Sequence, residues 1–367
     1  MQKNKKNRIL YLDVMRAFAV FMMIQGHTVD TFLADKFRSS DSLFYFLWYN
    51  QRGFTAPIFM FTAGVVFTYL LKIGKYNFSE NPRVKKGIKR GFSLIAIGYL
   101  LRFPTERIFD FRFVTPEKWS SFFSVDALHL IGFGLLFIIM LVYLADKFRI
   151  KFTTLTFLFI AMLFIVTPVI KQIIFTNYFP EYIAAYFNNK TGSHFPFFPW
   201  LIYIFAGSIL GFYLTNKENI YKKKKFSYVL GSLGISMIGM FFILSYIKDY
   251  EFEGNSIRLY SYSIIFLRLG YVILLNGIVS LIIRKSKSIP KIIVETGRHT
   301  LILYIVHLVM LYGSAWSLGL NYLYARSFNT IETILTAIVM LGLMLMLVIA
   351  IEKIKKIKRI KLAIENI

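Results

Sequence analysis

About ten stretches of this chain, each near twenty residues long, are dominated by apolar side chains, and that pattern limits the fold more than any other feature. They lie at roughly 11–33, 54–72, 88–104, 126–145, 152–175, 197–215, 226–247, 259–283, 299–320 and 331–351. As helices, runs of this length cross the ~30 Å of hydrocarbon in a bilayer. Backbone polar groups cannot go unpaired in lipid, and the runs lack the short alternation of barrel strands, so each is expected to be a helix. The fold class that follows is all-α, a polytopic integral membrane bundle of about ten transmembrane helices. Hydrophobic residues make up 56% of the 367 positions, which agrees. No repeat or long linker divides the chain, so 1–367 reads as a single membrane-embedded domain. It carries a basic N-terminus at 1–10 and a basic tail at 352–367.

The first run follows Lys3, Lys5, Lys6 and Arg8 and so imitates a signal peptide. Asp13 and Arg16 interrupt it and no small-residue cleavage site follows, so it reads as a retained first span. Orientation follows from the placement of positive charge. Thirty of the 44 Lys and Arg fall at the N-terminus, at 72–90, 146–151, 216–225 and 284–298, and in the tail. Only 12 fall in the intervening connections. Cytoplasmic flanks attract positive charge, so this alternation places both termini in the cytoplasm. The net charge of +25 is dispersed over these separate flanks and forms no single groove, so anionic lipid is the expected partner and nucleic acid is not. In the tail, Ile354, Ile357, Ile360 and Ile364 are spaced for an apolar face among lysines, as in a helix lying on the inner leaflet. The chain has no cysteine, which excludes disulfides, thiolate metal sites and a cysteine nucleophile, and no metal is expected.

The informative residues are those ionisable at membrane depth, where charge is seldom kept without a partner or a task. At about 100° per residue, Asp13, Arg16, His27 and Asp30 fall in one stripe of the first span. The eleven residues from Arg16 to His27 cover about 16 Å. With the first helix running outward, Arg16 lies near the cytosol and His27 toward the outside. A neutral histidine there can take a proton, and Asp30 one turn on can orient its ring. The alternative is an interfacial Asp13–Arg16 pair and a packing histidine. Asp126 and His129, one turn apart, suit either acceptor hydroxyls or a helix cap. Arg268 lies mid-span, where a guanidinium should face the bundle interior or a wet cavity, and Trp200 can serve as a stacking platform. His299 reads as interfacial, and His194 lies in an external loop. Gly231, Gly234 and Gly239, with Ser232 and Ser236, suit close helix packing.

Leu12 to Arg16 through Gly26 and His27 places ten residues between the arginine and the histidine, a spacing that resembles the transmembrane acyltransferases. Three further segments sharpen the resemblance: Arg52 through Pro57 to Gly64, Phe195 through Trp200 and Gly207 to Gly211, and Gly297 through Thr300 and Tyr304 to His307. Together they resemble the bacterial branch related to the heparan-α-glucosaminide N-acetyltransferase catalytic domain, and the chain is also similar to acyltransferase-3 proteins. The resemblance implies an acyl-CoA, such as acetyl-CoA, bound from the cytosol of a bacterial inner membrane. Its acyl group passes to a hydroxyl or amine of a cell-envelope glycan outside. It makes Arg16, Lys86, Lys89 and Arg90 candidates for the coenzyme A phosphates. His27 becomes the general base, with Asp30 supporting the imidazolium, and Arg52, catalytic His307 or amides near Pro57 become the oxyanion donors. Arg52, Asp126, His129, Arg268 and Trp200 are the substrate-binding candidates. The first external loop holds no histidine, unlike that of the eukaryotic heparan enzyme. A homo-oligomer is compatible with the sequence. The competing reading is a transporter or flippase of a glycan or small anionic solute, which also needs a polar stripe and a mid-membrane arginine, but inverted repeats and paired broken spans are not visible.

Overall fold

The computed structural model describes residues 9–364 apart from 40, 75, 109, 217–218, 251–255 and 287. The basic residues Lys3, Lys5, Lys6 and Arg8 and the last three residues of the tail lie outside the described residues. Fourteen helices are described: α1 (Leu10–Phe32), α2 (Leu43–Lys72), α3 (Pro82–Leu101), α4 (Pro116–Phe123), α5 (Ala127–Lys147), α6 (Phe152–Gln172), α7 (Glu181–Ala184), α8 (Phe197–Asn216), α9 (Lys224–Tyr250), α10 (Ser256–Lys285), α11 (Lys291–Arg298), α12 (Thr300–Tyr312), α13 (Asn321–Tyr324) and α14 (Thr330–Ile364). The strands described are the two-residue β1 (Gly313–Ser314) and β2 (Ser317–Leu318), paired antiparallel.

A helix or helix pair stands at each expected run, and the protein is an all-α polytopic bundle. Among the described residues, seven helices are long and apolar enough to cross a membrane. The bent pair α11–α12, turned by 77° at its break, makes an eighth. Helices α1 and α3 fall outside that set. The first carries Asp13, Arg16 and Asp30, and the third opens with Arg83, Lys85, Lys86, Lys89 and Arg90. Two boundaries differ from the sequence reading. The segment 34–53, expected as an external loop, is helical from Leu43, because its apolar and aromatic residues extend α2 past Arg52. The tail from Glu352 continues α14 instead of forming a separate helix on the membrane surface, since no Gly or Pro interrupts it. Ile354 and Ile357 are exposed there, and the side chains of Ile360 and Ile364 lie outside the described ones.

The chain divides into two compact units. One holds residues up to Thr55 and from Lys285 onward, and the other runs from Ala56 to Arg284. In the first, α1 packs against α11, α12 and α14. The approach to α11 is backbone to backbone, for a Cβ added at Gly297 would stand 2.0 Å from the Asp13 carbonyl oxygen. Arg16 meets Thr300 near the start of α12, and His27 meets Tyr312 at its end, so α1 and α12 run parallel. The first and ninth members of an alternating set must do so.

In the second unit, α3 lies along α5 and α6 along α8. Helix α3 starts where Asn81 caps it, accepting from the Arg83 amide at 2.9 Å, with Pro82 in the first turn. Glycines explain two of the recognisable segments. Cβ atoms at Gly64, Gly207 and Gly211 would reach the carbonyl oxygens of Ile204, Phe61 and Val65 at 2.0, 2.0 and 2.4 Å, so these glycines let α2 and α8 touch through their backbones. Among the α9 glycines, Gly234 makes such a crossing with Gly270 of α10, whereas Cβ atoms at Gly231 and Gly239 would meet open space.

Candidate active site

The polar stripe of α1 is real and its two ends have different partners. At one end Arg16 Nη2 donates to the buried Thr300 hydroxyl at 2.7 Å. Beside it, at the α11–α12 break, His299 Nε2 lies 2.9 Å from Glu352 Oε1 and 3.0 Å from Lys355 Nζ. Arg298 pairs with the buried Glu295. Glu295, His299 and Glu352 offer ligand atoms within 4.8 Å of one another, a grouping that no cysteine count could have revealed. Lys355 Nζ also sits 2.9 Å from Glu352 Oε1, so an ammonium already serves two of the three donors and a metal ion would have to displace it.

At the other end, His27 Nδ1 lies 3.0 Å from Tyr312 Oη, and the tyrosine stands edge-on to the imidazole with ring centroids 5.8 Å apart. The His307 ring is 5.5 Å from that of His27. His307 is fully buried and its Nδ1 sits 2.7 Å from the Leu303 carbonyl oxygen. A carbonyl only accepts, so Nδ1 carries the proton and Nε2 presents a lone pair. That Nε2 is buried and has no hydrogen-bond partner among the described residues. A neutral His307 in this tautomer presents a lone pair at Nε2 and has no proton there for an oxyanion, in contrast to the donor role expected for it.

Asp30 is held from two sides. Its carboxylate pairs with Arg52 of α2 and lies 3.8 Å from Arg38 Nη1, and Arg38 Nη2 donates to its backbone carbonyl at 2.7 Å. Arg52 also lies over the Tyr49 ring at 5.0 Å, and Trp48 Nε1 donates to Gln25 of α1 at 2.9 Å. Asp30, expected to orient His27, thus anchors the guanidiniums beside it, while Tyr312 sits on the His27 ring nitrogen. Sequence reading did not single out Tyr312 or Arg38. Tyr312 lies five residues past His307, about 140° away around the helix, so periodicity could not pair them, and Arg38 lies in the connection that follows a single 3₁₀ turn.

In the second unit, Asp126 and His129 form a capping box at the start of α5. Asp126 accepts from the Leu128 amide at 2.9 Å and from the His129 amide at 3.3 Å, and its side chain meets His129 Nδ1 at 2.9 Å. Both are buried, and His129 packs against Gly98 and Tyr99 of α3, so the capping role is the one this geometry supports. Lys86, Lys89 and Arg90 are exposed on the first turns of α3. Arg268 is half-buried, with its guanidinium over the Trp200 ring at 5.2 Å, so two separately chosen candidates meet. His194 is exposed, its amide donating to the Val125 carbonyl at 3.1 Å.

Comparison with known proteins adds one result. A family model for an acyltransferase domain, acyltransferase-3, matches residues 9–353, nearly the whole chain. No curated protein and no solved structure matches.

Proposed function

The chain belongs to the acyltransferase-3 family of membrane acyltransferases, and from that premise we propose that it moves an acetyl or similar acyl group from cytosolic acyl-CoA to a sugar hydroxyl or amine outside. The bacterial cytoplasmic membrane, with both termini inside, is the setting this reading requires. The observation that carries it is the grouping of His27, His307 and Tyr312 beside the Asp30–Arg52 pair, about 16 Å along α1 from Arg16.

Arg16 is the donor-side residue. Thr300 fixes one arm of its guanidinium fork, which suits bidentate contact with a coenzyme A phosphate. Lys86, Lys89 and Arg90, exposed on the first turns of α3, are phosphate candidates by their charge.

His27 is the base. In the tautomer whose Nδ1 proton is directed at Tyr312 Oη, the Nε2 lone pair removes the proton from the acceptor as the acceptor oxygen or nitrogen attacks the thioester carbonyl. The C–S bond breaks and coenzyme A leaves as the thiolate. Charge that develops on the carbonyl oxygen needs a donor. Arg52, kept in place by Asp30, is the side chain that fits this need, because neutral His307 offers only a lone pair. His307 Nε2 is instead suited to receive or share the proton taken up by His27. Attack by a histidine nitrogen to form an acyl-imidazole is the main variant, and trapping labelled acyl-enzyme without acceptor separates the two.

The test is transfer from radiolabelled acetyl-CoA to envelope glycan extracts by purified protein in liposomes, comparing wild type with His27→Ala. Transfer by the wild type that is lost in the variant supports the assignment. Neither transfer nor acetyl-CoA binding by the wild type would remove the proposal.

A further inference from the structure

Arg268 differs from three other arginines of this fold. Arg52 is paired with Asp30, Arg298 with Glu295, and Arg102 lies 3.9 Å from Asp126. Among the described residues, no carboxylate lies within ion-pairing distance of Arg268; its guanidinium rests on the Trp200 ring and lies close to the neutral Tyr203 hydroxyl. It sits twelve residues, or about 18 Å, into the 30-residue helix α10. Stacking on an indole offers a negative quadrupole but no counter-charge, so the net positive charge persists where it is expensive.

Its surroundings add to that charge. Lys171 lies within Coulombic reach of Arg268. Side chains on a helix lean toward its N-terminus. The lysine from the end of α6 and the arginine from the middle of α10 therefore approach one level from opposite directions, because Phe164 of α6 packs on both Tyr262 and Phe266 of α10. Trp200 is itself fixed in place, edge-on to Phe195 at 4.8 Å and packed on the fully buried Tyr203. The result is a rigid aromatic wall beneath a planar donor fork.

We propose that Arg268, backed by Trp200, is a binding site for an oxyanion, the carboxylate or phosphate group of an acidic sugar acceptor or of an anionic lipid. A planar carboxylate or a phosphate matches the two parallel N–H donors of a guanidinium, and the indole beneath it adds a cation–π contact.

Binding, and not transfer, is the readout, so the result stands apart from the acyltransferase proposal. The protein is placed in phosphatidylcholine nanodiscs, and the affinities of glucuronate, inorganic phosphate and glucose are measured by tryptophan fluorescence and thermal shift. Glucuronate or phosphate is expected to bind about tenfold or more tighter than glucose, the gain of a charge-assisted contact. Arg268→Gln abolishes the difference, and Arg268→Lys and Trp200→Phe, which keep the charge and the aromatic wall respectively, reduce it. These conservative variants carry the test if Arg268→Gln does not fold. A second arm replaces part of the lipid with phosphatidylglycerol. A thermal shift that requires Arg268 and appears only there identifies lipid phosphate as the occupant. No preference for anions in either arm, or the same preference in Arg268→Gln as in wild type, overturns the proposal.

Discussion

Gly297→Ala tests the framework on which the α1 site depends, because two physical effects predict opposite signs. Replacing a helical glycine by alanine removes unfolded-state freedom and gains up to about 1 kcal/mol. Here, however, the new methyl would stand 2.0 Å from the Asp13 carbonyl oxygen and 2.7 Å from its carbon. Ordinary contact begins at 3.4 Å, so the difference of 1.4 Å must come from separating α1 and α11. The obstacle is backbone and has no rotamer to escape through. A 1.4 Å overlap with backbone belongs in the upper part of the usual overpacking range, about 2–3 kcal/mol, which less the gain of about 1 leaves a net loss of about 1–2 kcal/mol. The control is Gly342→Ala in α14, where the new methyl meets nothing within 4 Å and a gain of about 0.5–1 kcal/mol is expected. Reversible unfolding in mixed micelles, followed by tryptophan fluorescence, gives both values. The displacement also shifts Arg16 against Thr300, so acetyl-CoA binding should weaken in Gly297→Ala and not in the control. If Gly297→Ala is as stable as wild type, or gains as Gly342→Ala does, the backbone contact and the arguments built on it are wrong.

Three further outcomes are expected. His27→Ala lowers transfer by ~10²–10⁴-fold, the usual contribution of a general base, without loss of acetyl-CoA binding measured by equilibrium dialysis. Tyr312→Phe removes one hydrogen bond to His27 worth about 0.5–1.5 kcal/mol, so kcat/KM falls by about 2–13-fold and its pH profile shifts, whereas Tyr324→Phe, outside this group, changes neither. Asp126→Ala removes the α5 cap and destabilises by about 0.5–2 kcal/mol in thermal unfolding, while the KM for acceptor stays within about twofold; a selective rise in KM would assign Asp126 to substrate binding.

Much of the fold was written in local pattern. Runs of about twenty apolar residues can satisfy their backbone in lipid only as helices, which is why helix positions followed from a single sequence. The stripe from Asp13 to Asp30 was legible for the same reason, since a helix converts spacing into direction. The candidate site was legible only in part. His27 and His307 were chosen on separate helices, and their rings do come together. Asp30 reads in the sequence as the histidine's support; its pairing with two guanidiniums is not legible there, because Arg38 reaches it from a connection that has no periodicity to read. Asp126 and His129 fit two readings, and the buried capping box displays one of them.

The sequence by itself therefore determined that the chain crosses a membrane as helices, that α1 presents a polar face, and which arginines and histidines lie at depth. Those properties depend on residues near one another in the chain. Tertiary structure alone decided that Tyr312 holds the His27 ring, that the Leu303 carbonyl fixes the His307 tautomer, and that Arg268 rests on Trp200 with no carboxylate beside it among the described residues. The first and last join residues far apart in sequence, and the second needs coordinates to show where a ring nitrogen points. In each case a side chain's chemistry is set by the partner that packing brings to it.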